Sequence, residues 1–228
     1  MEDTEFDVAL VTAAFGQAAL TGWRELSIVE AAQDAGLPLA RARARFPGPG
    51  AVLMRFGLMA DQAALSDMQP EPVARDRLFD ALMRRFDVLQ QHRAGMVALL
   101  DALPKMPGLA FALSGATGRS MGWLLEAAGV SAQGVTGRLR AVGLVTVWLY
   151  ALRAWKTDDS ADLSGTMAAL DKALDQAERY ASYLGGSSAV AAMDEPDTAI
   201  IADEAPPLPS AEEFPPPPPP VEAPPSPM

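Results

Sequence analysis

Hydrophobic residues recur at helical spacing along residues 1–185, and we find no run in which β-branched residues alternate with polar ones as in a strand. In the first segment, Phe6, Leu10 and Ala13 fall three or four positions apart, so one face of the segment is apolar. This spacing predicts a first helix over about Glu5–Leu20. The pattern as a whole predicts an all-α protein.

Two short helices follow the first one. A Ser-x-x-Glu capping box at Ser27 predicts a helix over about Ile28–Ala35, and Gly36 ends it. A Leu-Pro turn then leads into a third helix over residues 39–46, which has the sequence LARARARF. Short helices on both sides of a glycine turn are typical of a helix-turn-helix, which we place in an N-terminal three-helix domain over residues 1–66.

Longer predicted helices follow, and they are rich in Met, Leu, Ala and aromatic residues on more than one side. This composition predicts a helical bundle with a large apolar interior over residues 67–185, suited to ligand binding and dimerisation. The remaining predicted helices cover about 51–68, Val73–His92, Ala94–Leu103, Pro107–Ser114, Thr117–Ala128, Gly137–Trp155 and Ser164–Leu184.

Residues 186–228 have a different composition. They contain 13 of the 20 prolines, including the run Pro215–Pro220, and eight acidic residues without any Lys or Arg. Such a segment cannot form a packed core, so we predict a disordered, acidic, Pro-rich tail. The tail is interpreted as a solubilising segment, and the alternatives are a ligand for a proline-binding partner or an arm that folds back on arginines.

Charge and composition narrow the possible functions. The net charge is −11, but residues 1–185 carry 18 basic and 21 acidic residues and are nearly neutral, which argues against a strongly basic surface for non-specific nucleic-acid binding. The chain has no cysteine and one histidine, so Cys-based zinc sites and thiolate catalysis are excluded, and we expect no metal and no cofactor. The acidic N-terminus is unlike a signal peptide, and we judge the most apolar run too short for a membrane span, so we expect a cytoplasmic protein.

Two segments resemble the TetR family of transcriptional regulators. LSIVEAAQDAGLP and RFPGPGAVL are similar to the helix-turn-helix segments of that family, and the matching positions are Ser27, Ile28, Gly36, Phe46, Pro47 and Leu53. The resemblance implies a TetR-like fold, a homodimer, a palindromic DNA operator and a small apolar or lipid-like effector. Three positions that commonly contact DNA phosphates in the family differ, since Leu39 and Pro49 replace lysines and Arg43 replaces a tyrosine.

A second resemblance is to the lipid-binding accessory proteins of ubiquinone biosynthesis. It rests on TGWRELSIVEAAQDAGL, FPGPG and WKTDDSADLSGTMAALDKAL, with Trp155, Asp158, Ser160 and Asp162 as its most specific part. Those proteins have a TetR-like fold, and the resemblance implies binding of an isoprenoid or ubiquinone precursor without DNA binding. This function is the alternative to a transcriptional regulator.

The third helix is the candidate DNA-reading element. On a helical wheel Leu39, Ala42 and Phe46 share the inward face, and the small Ala40 and Ala44 lie opposite. The candidate DNA contacts are Ser27, Arg41, Arg43 and Arg45, because arginine suits bidentate contacts to guanine and small neighbours allow close approach. The alternative is a solvated Arg/Ala helix with high helix propensity.

The remaining candidates belong to the bundle. The residues predicted to form the core and, in part, to line a ligand cavity include Met83, Met96, Phe111, Met121, Trp123 and Trp148. The last two predicted helices, Gly137–Trp155 and Ser164–Leu184, are the expected dimer faces. The DDSADLS segment is expected to cap the last helix, and His92 to cap a helix end. No catalytic constellation is present, so we do not expect an enzyme.

Overall fold

The computed structural model describes residues 1–66 and 73–193, with side-chain surroundings as far as residue 181. These residues form nine α-helices and a 3-10 helix at Leu103–Lys105, and no strand occurs among them. The α-helices are α1 (Asp3–Thr21), α2 (Ile28–Asp34), α3 (Leu39–Arg45), α4 (Pro49–Ser66), α5 (Ala74–Gln91), α6 (Arg93–Ala102), α7 (Pro107–Ala127), α8 (Gly134–Thr157) and α9 (Ser164–Met193).

The chain divides into two units, residues 1–187 and residues 188–228. In the second unit, residues 188–193 are the end of α9, nine residues past the Leu184 expected for the last helix. The prediction of a disordered Pro-rich tail otherwise falls on residues 194–228, which lie outside the described residues. The last two residues of the predicted fourth helix, 67 and 68, lie outside them too.

The predicted break between residues 114 and 117 is wrong, because α7 continues through it. The hydroxyl of Ser114 donates to the carbonyl oxygen of Phe111 at 2.8 Å within the same helix. Packing of α7 against α4 and α8 therefore outweighs the low helix propensity of Gly115 and Gly118.

The N-terminal helices pack around the inner face of α1, where Phe6, Leu10 and Ala14 are fully buried. Ser27 is the N-cap of α2 and accepts a hydrogen bond from the Glu30 amide at 3.3 Å. The predicted capping box also has the Glu30 carboxylate accept from the Ser27 amide. In the structure this carboxylate accepts from the side-chain amide of Gln17 instead, at 2.6 Å. The expected turn glycine, Gly36, has a φ of 64°, which a residue with a Cβ adopts at a cost.

Helices α1 and α6 meet closely where the N-terminal helices join the bundle. The indole nitrogen of Trp23 donates to the carbonyl oxygen of Gly95 at 2.8 Å in the interior. A Cβ at Gly95 would lie 2.6 Å from the carbonyl oxygen of Phe15, so only glycine allows this approach. The half-buried His92 packs between the rings of Phe15 and Phe56, with centroids 5.1 and 5.5 Å away, and burial lowers its pKa. His92 occupies the C-cap position after α5, so it lies at a helix end as expected.

The bundle interior combines apolar packing with one buried ion pair. Phe86 of α5 stacks on Trp148 of α8 with ring centroids 4.6 Å apart. The neighbouring Arg85 is 5 % exposed, pairs with Asp61 of α4 and lies 4.9 Å above the Trp148 ring. Asp61 also accepts a hydrogen bond from Ser120 of α7, so this cluster ties four helices together.

Helix α8, which contains the most apolar run, is long and apolar enough to meet the criteria for a membrane-spanning helix, with a mean hydropathy of 1.2, but a single such helix is weak evidence for a span. Residues 93–105, which are α6 and the 3-10 helix, meet the same criteria when they are taken together with α7. The two segments are bent by 118° relative to each other. Buried core helices satisfy the same criteria, and Leu144, Trp148 and Ala151 place the inner side of α8 in the core.

Candidate nucleic-acid interface

Helix α3 lies on the surface of the N-terminal three-helix arrangement, where a helix-turn-helix carries its recognition helix. Ala42 and Phe46 are each 2 % exposed, as the helical wheel predicts, whereas Leu39 is 44 % exposed. The expectation that Leu39 faces inward is therefore wrong, and Leu37, in the turn before α3, is buried instead. Ala40 and Ala44 are exposed, as expected.

Two of the three candidate arginines face α1 rather than solvent. Arg41 donates to Asp3 Oδ1 at 2.5 Å and to the carbonyl oxygen of Met1 at 3.2 Å, and its guanidinium lies 4.4 Å above the Phe6 ring. Arg45 donates to Asp3 Oδ2 at 2.8 Å. Asp3 therefore bridges two arginines one helical turn apart, and the Arg41 hydrogen bond together with the charge of Arg45 lowers the pKa of its carboxyl.

Asp7 is the second acidic partner, and it is buried. Arg45 makes a bidentate pair with it, with distances of 2.6 Å and 2.7 Å to the two carboxylate oxygens, and Arg55 of α4 also pairs with it. Burial alone would raise the pKa of the Asp7 carboxyl, but the hydrogen bonds and charges of the two arginines outweigh burial and lower it. Arg45 is therefore part of the packing of α1, α3 and α4.

Arg43 is the candidate contact left facing solvent. Its side chain is exposed, and one of its Nη atoms donates to the carbonyl oxygen of Pro47 at 2.9 Å. Ser27, the fourth candidate, is half-buried, and its hydroxyl oxygen caps α2. The structure brings Arg41, Arg43 and Arg45 together on α3 and places Ser27 at the start of the preceding helix.

The local charge balance is acidic. Residues 1–66 contain five arginines, no lysine and eight carboxylates. DNA affinity depends strongly on the number of phosphates that Lys and Arg neutralise. Arg43 and Arg24 are the exposed cations of this part of the chain, so the electrostatic attraction for DNA is small unless Arg41 or Arg45 is released from its carboxylates.

The sequence contains a signal for these ion pairs that the helical wheel of α3 alone does not reveal. Asp3 and Asp7 are four residues apart on α1, and Arg41 and Arg45 are four residues apart on α3. Residues at this spacing share one face of a helix, so two such pairs can match when their helices pack side by side. Arg55 also pairs with Asp7, but no spacing in the sequence indicates this pair, and only the structure shows it.

The six candidate cavity residues divide into an interior and a surface group. Met96, Met121 and Trp148 are buried and Met83 is half-buried, which places them in or against the bundle core. The expectation that Phe111 and Trp123 belong to the interior is wrong, because they are 82 % and 71 % exposed on the outer side of α7. These six residues therefore do not surround a single cavity.

An open cavity of about 220 Å³ lies elsewhere, between α1 and the junction of α5 and α6. Thr12, Phe15, His92 and Gly95 are among the residues that line it. In the described part of the chain, no three His, Asp or Glu side chains are grouped so that they could hold a metal ion.

The segment before α9 forms a compact cap. The two carboxylate oxygens of Asp158 accept hydrogen bonds from the hydroxyl and amide of Ser160 and from the hydroxyl and amide of Thr166. Asp162 accepts from the amide of Ser164, where α9 begins. The expectation that DDSADLS caps the last helix is confirmed, so the most specific part of the second resemblance has a structural role in this chain.

Comparison with solved structures identifies the fold. A TetR transcriptional regulator from Nitrosomonas europaea ATCC 19718 matches with a TM-score of 0.62 and 21 % identity over 76 % of this chain and 98 % of its own. A putative TetR-family regulator from Rhodococcus sp. matches with a TM-score of 0.55 and 17 % identity over 76 % of this chain and 98 % of its own. This chain has the TetR fold.

A third similar structure is Salmonella enterica GusR, with a TM-score of 0.50 and 16 % identity over 78 % of this chain and 97 % of its own. No protein-family model matches the sequence, and no curated protein matches it significantly. The predicted N-terminal domain, residues 1–66, and the predicted bundle, residues 67–185, lie within one compact unit formed by residues 1–187.

Proposed function

We propose that this chain is a one-component transcriptional regulator of the TetR type. In this proposal α3 contacts DNA, the bundle binds a small apolar effector, and two copies form a dimer. The observation that carries the proposal is the position of α3, a short surface helix with three arginines in a TetR fold. The exposed Ala40 and Ala44 would let this helix approach a major groove closely, with Arg43 between them as the first contact.

The effector would bind among the interior side chains of the bundle. Met83, Met96, Met121 and Trp148 are the candidates, because Met and aromatic side chains form adaptable apolar walls. The effector would favour a dimer geometry in which the two α3 helices no longer match half-sites about one DNA turn apart.

The dimer would form through α8 and α9. On α8 the exposed apolar residues Val135, Val142 and Leu149 are seven positions apart, and Leu139 lies beside them. Tyr180 of α9 is 71 % exposed. An exposed apolar stripe of this kind is typical of an interaction face, because isolated soluble proteins rarely expose large apolar patches.

Replacement of Arg43 tests DNA contact without disturbing the fold. Arg41 and Arg45 are unsuitable for a first test because they pair with Asp3 and Asp7. Arg43→Ala should weaken specific binding to the DNA upstream of the protein's own gene by roughly five- to a hundred-fold, the range for one good base contact. Binding is measured by fluorescence anisotropy at about 100 mM salt, with random DNA as competitor.

The matched control is Arg119→Ala, which removes an exposed arginine from α7, outside the two helices proposed as dimer faces. It should leave the affinity unchanged. If the unaltered protein does not prefer its upstream DNA over random competitor, the proposal that it is a DNA-binding regulator is wrong. Equal losses for both variants would show a non-specific charge effect instead of a contact by α3.

The alternative function is a TetR-fold protein that binds a lipid and no DNA. Asp3 and Asp7 occupy Arg41 and Arg45, and residues 1–66 are acidic, as expected for a TetR-fold protein that binds an apolar ligand without DNA. The ligand class would be an isoprenoid lipid such as a ubiquinone precursor. Native mass spectrometry of protein purified from its own host should then show a bound lipid, and protein free of any apolar ligand would contradict this function.

A further inference from the structure

The contacts between α1 and α3 differ in how easily they can be broken. The Asp7 side chain is 3 % exposed and is held by two arginines from two helices, so it belongs to the interior. The Asp3 side chain is 67 % exposed and lies in the first turn of α1, but it contacts both Arg41 and Arg45. Asp3 is therefore the member of the network that solvent or another anion can replace.

A DNA phosphate is the same kind of partner for arginine as the Asp3 carboxylate. Both are anions with oxygens that accept from a guanidinium, and Arg45 can keep its bidentate contact with Asp7 when Asp3 leaves. The Arg41 side chain is a third exposed. Release of Asp3 would thus add at least one cation to the exposed surface of α3 without disturbing the core.

We propose that Asp3 acts as an autoinhibitory anion that competes with DNA phosphate for Arg41 and Arg45. This inference rests on the proposed regulator function and adds a means of regulating it. In the free protein, the N-terminal turn of α1 neutralises the recognition helix. DNA binds only by displacing Asp3. The free energy needed to break the contacts of Asp3 with Arg41 and Arg45 therefore lowers the affinity of the protein for DNA.

The test compares Asp3→Asn with Asp34→Asn. Asp34 is exposed at the end of α2 and contributes the same charge to the same part of the chain. Asp3→Asn should raise the affinity for upstream DNA by roughly two- to five-fold over Asp34→Asn at about 100 mM salt, the range expected for exposed ion pairs. The slope of log K against log salt should steepen by about 0.9 for each additional DNA phosphate that the variant neutralises.

A double-variant measurement assigns the effect to the arginine. In an Arg41→Ala background, Asp3→Asn should lose most of its gain, whereas in an Arg43→Ala background the gain should persist. Melting curves followed by circular dichroism check that α1 and α3 remain folded in each variant.

The outcomes separate this inference from the function on which it rests. If the unaltered protein binds its upstream DNA specifically and Asp3→Asn equals Asp34→Asn, autoinhibition by Asp3 is wrong while the regulator function stands. If neither the unaltered protein nor Asp3→Asn binds DNA specifically, both proposals fail. A gain that persists without Arg41 and without a steeper salt slope would overturn the proposed competition for phosphate.

Discussion

A single carboxylate organises the start of the last helix. Asp158 satisfies the amide of Thr166 and the hydroxyls of Ser160 and Thr166, which fixes the chain as it turns from α8 into α9. The hydrogen bonds from Ser160 and Thr166 hold the pKa of the Asp158 carboxyl well below its usual range. The capping role was predictable from sequence, because acidic and hydroxyl residues before an apolar periodic segment are a local signal.

Replacement of Asp158 should reduce stability in a pH-dependent way. Asp158→Asn should lower the free energy of unfolding by about 1–2 kcal/mol near pH 7, as for loss of a helix cap. Because the folded-state pKa is lowered, the charged carboxylate contributes fully above about pH 4, and this contribution is lost as pH falls through the folded-state value. The difference between the unaltered protein and the variant should therefore shrink below about pH 4.

Urea unfolding at pH 7 and near pH 3 measures this difference. Asp159→Asn is the control, because the neighbouring Asp159 side chain is fully exposed. A difference that stays constant over this pH range would contradict the assigned role of the Asp158 charge.

At the scale of elements, periodicity predicted which segments are helical but misplaced some of their faces. The helical wheel of α3 placed Ala42 and Phe46 correctly, yet it could not show that Arg41 and Arg45 face α1, because that depends on packing between segments about 40 residues apart. Trp123 on α7 was assigned to the interior from its hydrophobicity alone, and it is exposed. Hydrophobicity distinguishes core from surface only on average.

The exposed stripe on α8 provides a test of dimer formation. Val142→Glu combined with Leu149→Glu places two charges on an apolar face, and it should weaken the dimer by at least ten-fold because buried unpaired charges are costly. Sedimentation equilibrium over a range of concentrations measures the dissociation constant. Leu20→Glu, at a residue 88 % exposed near the end of α1, is the matched control and should leave the dimer intact. A monomeric unaltered protein, or a dimer unaffected by the double substitution, would refute the proposed interface.

At the scale of the whole unit formed by residues 1–187, the contact between α1 and α6 joins the N-terminal helices to the bundle. The hydrogen bond between Trp23 and Gly95 spans 72 positions of sequence. No local pattern in the sequence could identify it, because the requirement for glycine comes from the carbonyl of Phe15 on another helix. The class of the fold was predictable from helical spacing and the resemblance, whereas this joint was not.

Two glycine substitutions measure how tight the joint is. Gly95→Ala should destabilise the protein by about 1–3 kcal/mol, because its Cβ would overlap the backbone of Phe15. Gly57→Ala makes the same chemical change inside α4, where a Cβ meets nothing within 4 Å, and it should stabilise by about 0.5–1 kcal/mol. Thermal melts of both variants give the comparison, and equal effects of the two substitutions would show that the contact between α1 and α6 is not tight.

Helix α1 is unbroken from Asp3 to Thr21, with Asp3 at its N-terminal end and the contact with α6 towards its C-terminal end. The helix measures about 18 Å from Phe15 to Asp3, at about 1.5 Å per residue. A tilt of about 5° at the joint would sweep Asp3 sideways by about 1.6 Å over that length. A hydrogen bond of this kind reaches to about 3.2 Å between nitrogen and oxygen, so this displacement is large enough to break the 2.5 Å contact between Arg41 and Asp3. The buried pairs of Asp7 with Arg45 and Arg55 resist such a tilt, so they act as a clamp on the far end of helix α1 and hold Asp3 within reach of Arg41.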